Sequence, residues 1–119
     1  NPDICNTGGI LELTQIAAMA QPHYIGVSPH GYNSTSIGSA AAVHASATIP
    51  NFLICEGGDV RGQGLFVPPL TFVDGYLELP TQPGLEVDME EEAIEAARDK
   101  TYWLRGMFFH DDDESFADY

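Results

Sequence analysis

The sequence predicts an α/β fold assembled from parallel βα units. Three observations carry that expectation: apolar residues at helical spacing between Gly9 and Gln21, a nearly continuous apolar run at Tyr24-Ile25-Gly26-Val27, and a second helix-then-run pair ending at Phe52-Leu53-Ile54-Cys55. Parallel strands buried on both faces read as unbroken apolar runs. Their connections are right-handed, so this order of elements leaves few topologies open.

The segment Asn1 to Ile4 reads as the tail of a strand. Leu13, Ile16, Ala17 and Ala20 then mark one face of an amphipathic helix, which Pro22 stops. The run from Tyr24 to Val27 is read as a buried strand ending at Ser28-Pro29-His30. Asn33 or Ser34 is placed to cap a second helix, in which Ile37, Ala40, Ala41, Val43 and Ala47 give a small-residue face able to approach a sheet closely. Pro50 marks the end of that helix, and Phe52 to Cys55 forms the next strand, running into Glu56 and the glycine-rich stretch Gly57 to Gly64.

The second half changes character. Thr71-Phe72-Val73 and Tyr76-Leu77-Glu78-Leu79 flank Asp74-Gly75, a strong signal for a two-residue hairpin, and Pro80, Pro83 and Gly84 then break the chain. A short helix is expected from about Glu90 to Arg98, acidic at its start and basic near its end as the helix dipole favours. Aromatic residues and the run Asp111 to Glu114 fill the tail. The expected division is residues 1–65 as the βα part and 66–119 as a hairpin, short helix and acidic tail that pack elsewhere.

Eighteen acids against four bases give a formal charge of −14, which argues against nucleic acid or anionic lipid as a partner. A single lysine among so many carboxylates also fits a halophile's protein, kept soluble where salt screens self-repulsion. No apolar run of about 18 residues exists to span a membrane. Cys5 and Cys55 form no C-x-x-C motif and are expected to be reduced, partly buried thiols of a cytoplasmic protein.

Asp3, His30 and Glu56 each follow an apolar run and precede a turn. The C-terminal ends of parallel strands point to one face, so the three side chains should converge. Asp3 could then fix the tautomer and basicity of His30 as a general base, while a buried, protonated Glu56 could donate to a developing oxyanion. The competing structural reading of a lone histidine is a satisfied polar group. Acid, imidazole and acid at three successive strand ends shift the balance towards chemistry. Other candidates carry less. Gly57 to Gly64 lacks the Gly-Lys-Ser/Thr ending of a phosphate loop, and His110 with Asp111 to Glu114 lacks the spaced ligands of a calcium loop and reads as a solvated tail. His44 is read as an interior or interface histidine, His23 as a surface residue, and Trp103, Phe108, Phe109 and Phe116 as anchors for the tail.

Several short motifs occur in a telling order: Asn1-Pro2-Asp3, Gly8-Gly9-Ile10, Ser28-Pro29-His30, Ile49-Pro50-Asn51-Phe52 with Glu56, Asp74-Gly75-Tyr76, Pro80-Thr81 and Pro83-Gly84-Leu85. Over nearly the whole chain this resembles the C-terminal third of the mandelate racemase subgroup of the enolase superfamily, and within it the sugar-acid dehydratases of the galactonate and gluconate type. The stretch Gly57 to Gly64 departs from the pattern.

The resemblance implies the last strands and helices of a (β/α)8 barrel, with a C-terminal hairpin and tail against a capping domain. At 119 residues the chain is far short of the roughly 250 of a whole barrel, and it lacks an initiator Met, so it is expected to be part of a larger protein. By the same resemblance Asp3 orients His30, His30 moves the α-proton, and Glu56 steadies the enolate. Gly31, Tyr32 and Asn33 lie at the mouth, where they would contact substrate. The implied reaction is magnesium-dependent dehydration of a sugar acid to a 2-keto-3-deoxy acid, with metal ligands on earlier strands and none in this chain. Racemisation or epimerisation by the same proton abstraction is the first alternative, and a non-catalytic interaction module the second. The muconate-cycloisomerase branch places a lysine where Asp3 stands and is disfavoured. A homo-oligomer is expected.

Overall fold

The computed structural model describes residues 1–31, 34–56, 66–67 and 72–98. The readings of Tyr32, Asn33, Gly57 to Gly64, the aromatic tail and the acidic run therefore lie outside the described residues.

The chain opens with a parallel bridge between Asp3 and His30, and Asp3 at once caps helix α1 (Ile4–Thr7). The expected strand thus ends one residue early, because the short Asp side chain can accept from the free amides of the first helical turn. Helix α2 spans Ile10–Ala20, with Leu13 and Ala17 buried, and the apolar period is the one expected. Ile16, expected on the same face, is exposed. Pro22 lies within a 3₁₀ turn, Gln21–His23, since its fixed φ suits the first positions of such a turn.

Tyr24 corrects the strand expected over 24–27. It is left-handed (φ 56°) and 98% exposed, and pairing begins only at Val27. Val27 N–H donates to the Asn51 carbonyl (2.9 Å), and its own carbonyl accepts from Leu53 N–H (2.9 Å). On the other side His30 N–H donates to the Pro2 carbonyl (2.9 Å). Three short parallel segments therefore lie side by side, the one carrying His30 in the middle. Pro29 has no N–H to give the ladder, and its carbonyl accepts from Glu56 N–H (3.1 Å), not from the residue before. Pairing is accordingly isolated bridges and not long strands. Ile25, Leu53 and Ile54 are exposed, so burial on both faces is not achieved among the described residues.

Helix α3 spans Ser36–Ser46 with Thr35 at its N-cap, so neither Asn33 nor Ser34 takes that place. Its buried residues run most of the way round: Ser36, Gly38, Ser39, Ala40, Ala42, Val43, Ala45 and Ser46. Ile37 and Ala47, expected on the packed face, are exposed. Small side chains let α3 lie against α1 and α2 at once. A Cβ on Gly38 would come within 2.7 Å of Cys5 Sγ. The core joins Ile4, Leu13, Ala17, Val27, Ala42, Ala45 and Ile49. Full burial of a leucine such as Leu13 contributes about 1.5–3 kcal/mol.

Asn51 ties these pieces together at the end of the segments opposite His30. Its Nδ2 donates to the carbonyls of Ala17 (3.0 Å) and Ile25 (2.9 Å), linking α2, the Val27 segment and the Phe52 segment.

Beyond residue 65 the described elements are small. Strand β1 (Phe66–Val67) pairs antiparallel with β4 (Asp88–Met89), a long-range pairing with no local sequence signal. Strand β2 (Phe72–Val73) pairs with β3 (Tyr76–Leu77) across Asp74 and Gly75, both at positive φ (51° and 83°), as the Asp-Gly pair predicts. Helix α4 spans Glu91–Ala97, with Glu91 and Glu92 in its first turn and an Arg98–Glu95 ion pair (3.0 Å) at its end. No described residue from 72 to 98 is buried.

Candidate active site

Each of the three ionisable residues is placed by a different local device. Asp3 is 6% exposed, and its Oδ1 accepts from the backbone amides of Cys5 (2.7 Å) and Asn6 (3.2 Å) at the start of α1. With Oδ1 so held, Oδ2 faces the imidazole of His30, 3.2 Å from Nδ1. The carboxylate accepts Nδ1–H, which leaves Nε2 as the basic nitrogen of the neutral ring.

The His30 side chain is 33% exposed, and its Nε2 lies 3.4 Å from Glu56 Oε2. That is ion-pair distance, longer than a tight hydrogen bond. Asp3, His30 and Glu56 therefore come together in one cluster, with the imidazole between two carboxyl groups. The expectation that Glu56 is buried is corrected: its side chain is 57% exposed, because nothing in the described residues covers it.

The amide of Gly31, a residue expected to contact substrate, donates to Glu56 Oε2 (3.3 Å). Cys5, expected to be partly buried, is exposed, although its Sγ is 3.6 Å from Ser34 Oγ. Cys55 is half-buried, and burial pushes its thiol pKa up, with the Glu56 charge adding and a Ser46 hydrogen bond opposing. Both cysteines are free thiols. His23 is exposed, whereas His44 has a buried ring Nε2 with no hydrogen-bond partner among the described residues.

Two features of the site escaped the sequence reading. The amide cradle for Asp3 was signalled by an Asp directly ahead of a helical turn, the pattern of an N-cap. The Gly31 contact has no such signal, since it depends on a residue 25 positions away.

Among the described residues no group of three or more His, Cys, Asp or Glu side chains is arranged to hold a metal ion. Asp3 and Glu56 take the two ring nitrogens of His30, and amides occupy further carboxylate sites. A magnesium ion does not fit on this donor set. No helix among the described residues is long and apolar enough to cross a membrane.

Comparison with known proteins gives a consistent set of relatives. Residues 1–93 match the family model described as Enolase C-terminal domain-like. D-xylonate dehydratase of Haloferax volcanii is 33% identical over 98 residues, covering 80% of this chain and 24% of that protein. Chloromuconate cycloisomerase of Pseudomonas putida is 34% identical over 96 residues, covering 76% and 25%. A crystal structure of an enolase from Agrobacterium radiobacter, named as a candidate galactarate dehydratase and bound to Na and L-malate, superposes with a TM-score of 0.76. Its identity is 34%, over 98% of this chain and 33% of that one. The chain thus spans about a quarter of the length of the curated relatives it matches.

Proposed function

The chain belongs to the Enolase C-terminal domain-like family and has the fold of an α/β barrel fragment, and from that premise we propose that it supplies the acid–base part of a sugar-acid dehydratase site. Residues 1–65 are then the last strands of the barrel, and 66–119 the segment that covers neighbouring parts of the parent protein.

The observation that carries the reading is the imidazole of His30 held between Asp3 at Nδ1 and Glu56 at Nε2. With Nδ1 turned to Asp3, Nε2 is the nitrogen of His30 that takes the α-proton of a carboxylic acid, and Glu56, in its acid form, is the donor for the oxyanion that appears. Asp3 stabilises the imidazolium formed by the transfer. Returning that proton to a β-hydroxyl completes loss of water and leaves an enol that tautomerises to the 2-keto-3-deoxy acid. The names of the relatives, D-xylonate dehydratase among them, support a sugar acid as substrate.

The metal that such a reaction needs would neutralise the substrate carboxylate from outside these residues. The similarity to a cycloisomerase, like that to D-xylonate dehydratase, spans about a quarter of the relative's length. Asp3 in place of a lysine favours the dehydratase.

The test is to incubate the parent enzyme with a panel of sugar acids in deuterium oxide. Release of 2-keto acid is expected, and His30→Asn should lower α-proton exchange by about 10²–10⁴-fold with the circular dichroism unchanged. Turnover that survives the substitution would overturn the assignment of His30. Exchange without keto-acid release would assign a racemase or epimerase.

A further inference from the structure

We propose that Gly31 is a positioning residue for Glu56, holding that carboxyl against the imidazole of His30 and not contacting substrate. Glu56 is gripped by three consecutive residues. Its backbone N–H donates to the Pro29 carbonyl (3.1 Å), its Oε2 lies 3.4 Å from His30 Nε2, and the same oxygen accepts from Gly31 N–H (3.3 Å). The bare Cα of Gly31 makes the third contact possible, because a Cβ there would collide with the backbone carbonyl oxygen of Glu56. That obstacle is main chain, which cannot rotate aside as a side chain can. Any larger residue at position 31 must push the Glu56 segment outwards and carry its carboxyl away from Nε2.

The Glu56 side chain needs such a hold. More than half exposed, it has a large rotamer space, and His30 alone at 3.4 Å restrains it weakly. A backbone donor from a residue adjoining the base ties acid and base to one rigid dipeptide. A general acid held this way meets the oxyanion without a search, and a displacement of about 1 Å can cost 10²-fold in rate.

The kinetic part of this inference rests on the function proposed above, and the structural part does not. Two measurements on the full-length parent protein therefore separate them. Hydrogen exchange at the Gly31 amide should quicken roughly fivefold in Glu56→Ala, as loss of one hydrogen bond predicts, and an unchanged rate overturns the contact. This requires no turnover and no variant at position 31. In kinetics, Gly31→Ala should lower kcat by about 100-fold with KM nearly unchanged. The double variant Gly31→Ala/Glu56→Gln should be no slower than Glu56→Gln alone, because the glycine acts through the acid. A change confined to KM would return Gly31 to substrate contact, and multiplicative losses in the double variant would show that it acts independently of Glu56. Either result overturns the proposal. If Gly31→Ala does not fold, amide exchange decides. Inactivity of the wild-type enzyme on every sugar acid would defeat the dehydratase reading while leaving the exchange result to stand or fall by itself.

Discussion

Residues 1–56 and 72–98 contain comparable apolar material and use it differently. In the first region Ile4, Leu13, Ala17, Val27, Ala42, Ala45 and Ile49 come from distant points of the chain and close on one another. In the second, Phe72, Val73, Tyr76, Leu79 and Met89 are all exposed. Apart from the pairing of β4 with β1, the second region is shaped by short-range chemistry: the Asp74-Gly75 turn, the Arg98–Glu95 pair, and Thr81 N–H donating to Glu86 Oε2 (2.8 Å). Local rules suffice to specify a hairpin and a helix. Burial, and with it a site that holds three side chains in place, requires contacts across long stretches of sequence.

Substitutions can break or sharpen that contrast. The largest stability effect is expected at Leu13, fully enclosed between helices, where Leu13→Ala should lower the unfolding free energy of the chain in urea by about 2–5 kcal/mol. Next comes Asn51→Ala, which leaves the Ala17 and Ile25 carbonyls without their donor and should cost about 1–3 kcal/mol. Asn51→Asp should be no better, since a carboxylate cannot donate. Tyr76→Ala, on the exposed hairpin, should stay within about 0.5 kcal/mol, and a loss equal to that of Leu13→Ala would erase the contrast. The smallest effect is chemical. At pH 8 an alkylating reagent should label exposed Cys5 before Cys55, whose raised pKa leaves less thiolate, and the reverse order would place Cys55 outside the packed region.

What the sequence made legible follows the same line. The α2 and α4 spans and the Asp74-Gly75 hairpin were readable, because periodicity, charge placement and turn chemistry are local. The meeting of Asp3, His30 and Glu56 was foreseeable from their places at successive strand ends, since parallel segments share a direction. The β1–β4 pairing was not, for it joins residues 66–67 to 88–89 with nothing between them to announce it. The helix face of α3 was misjudged because a helix of Ala, Ser and Gly has little amphipathic contrast and can pack on several sides. The apolar run at 24–27 reads as a doubly covered strand and that at 52–55 as a further apolar strand, yet Ile25, Leu53 and Ile54 stay exposed. Their composition fits a sheet face that the described residues do not cover.

The missing N–H of Pro29 has an outcome in parity. From the Val27–Phe52 pairing, strict alternation would set Cys55 beside His30 and turn Glu56 to the opposite side. Because the Pro29 carbonyl takes the amide of Glu56, one residue is skipped and the two exchange sides. The thiol goes to Ser46 and the helices, and the carboxyl goes to the imidazole. An imino acid with nothing to donate thus stands where the chain settles which of two neighbouring side chains meets the imidazole and which meets the helices.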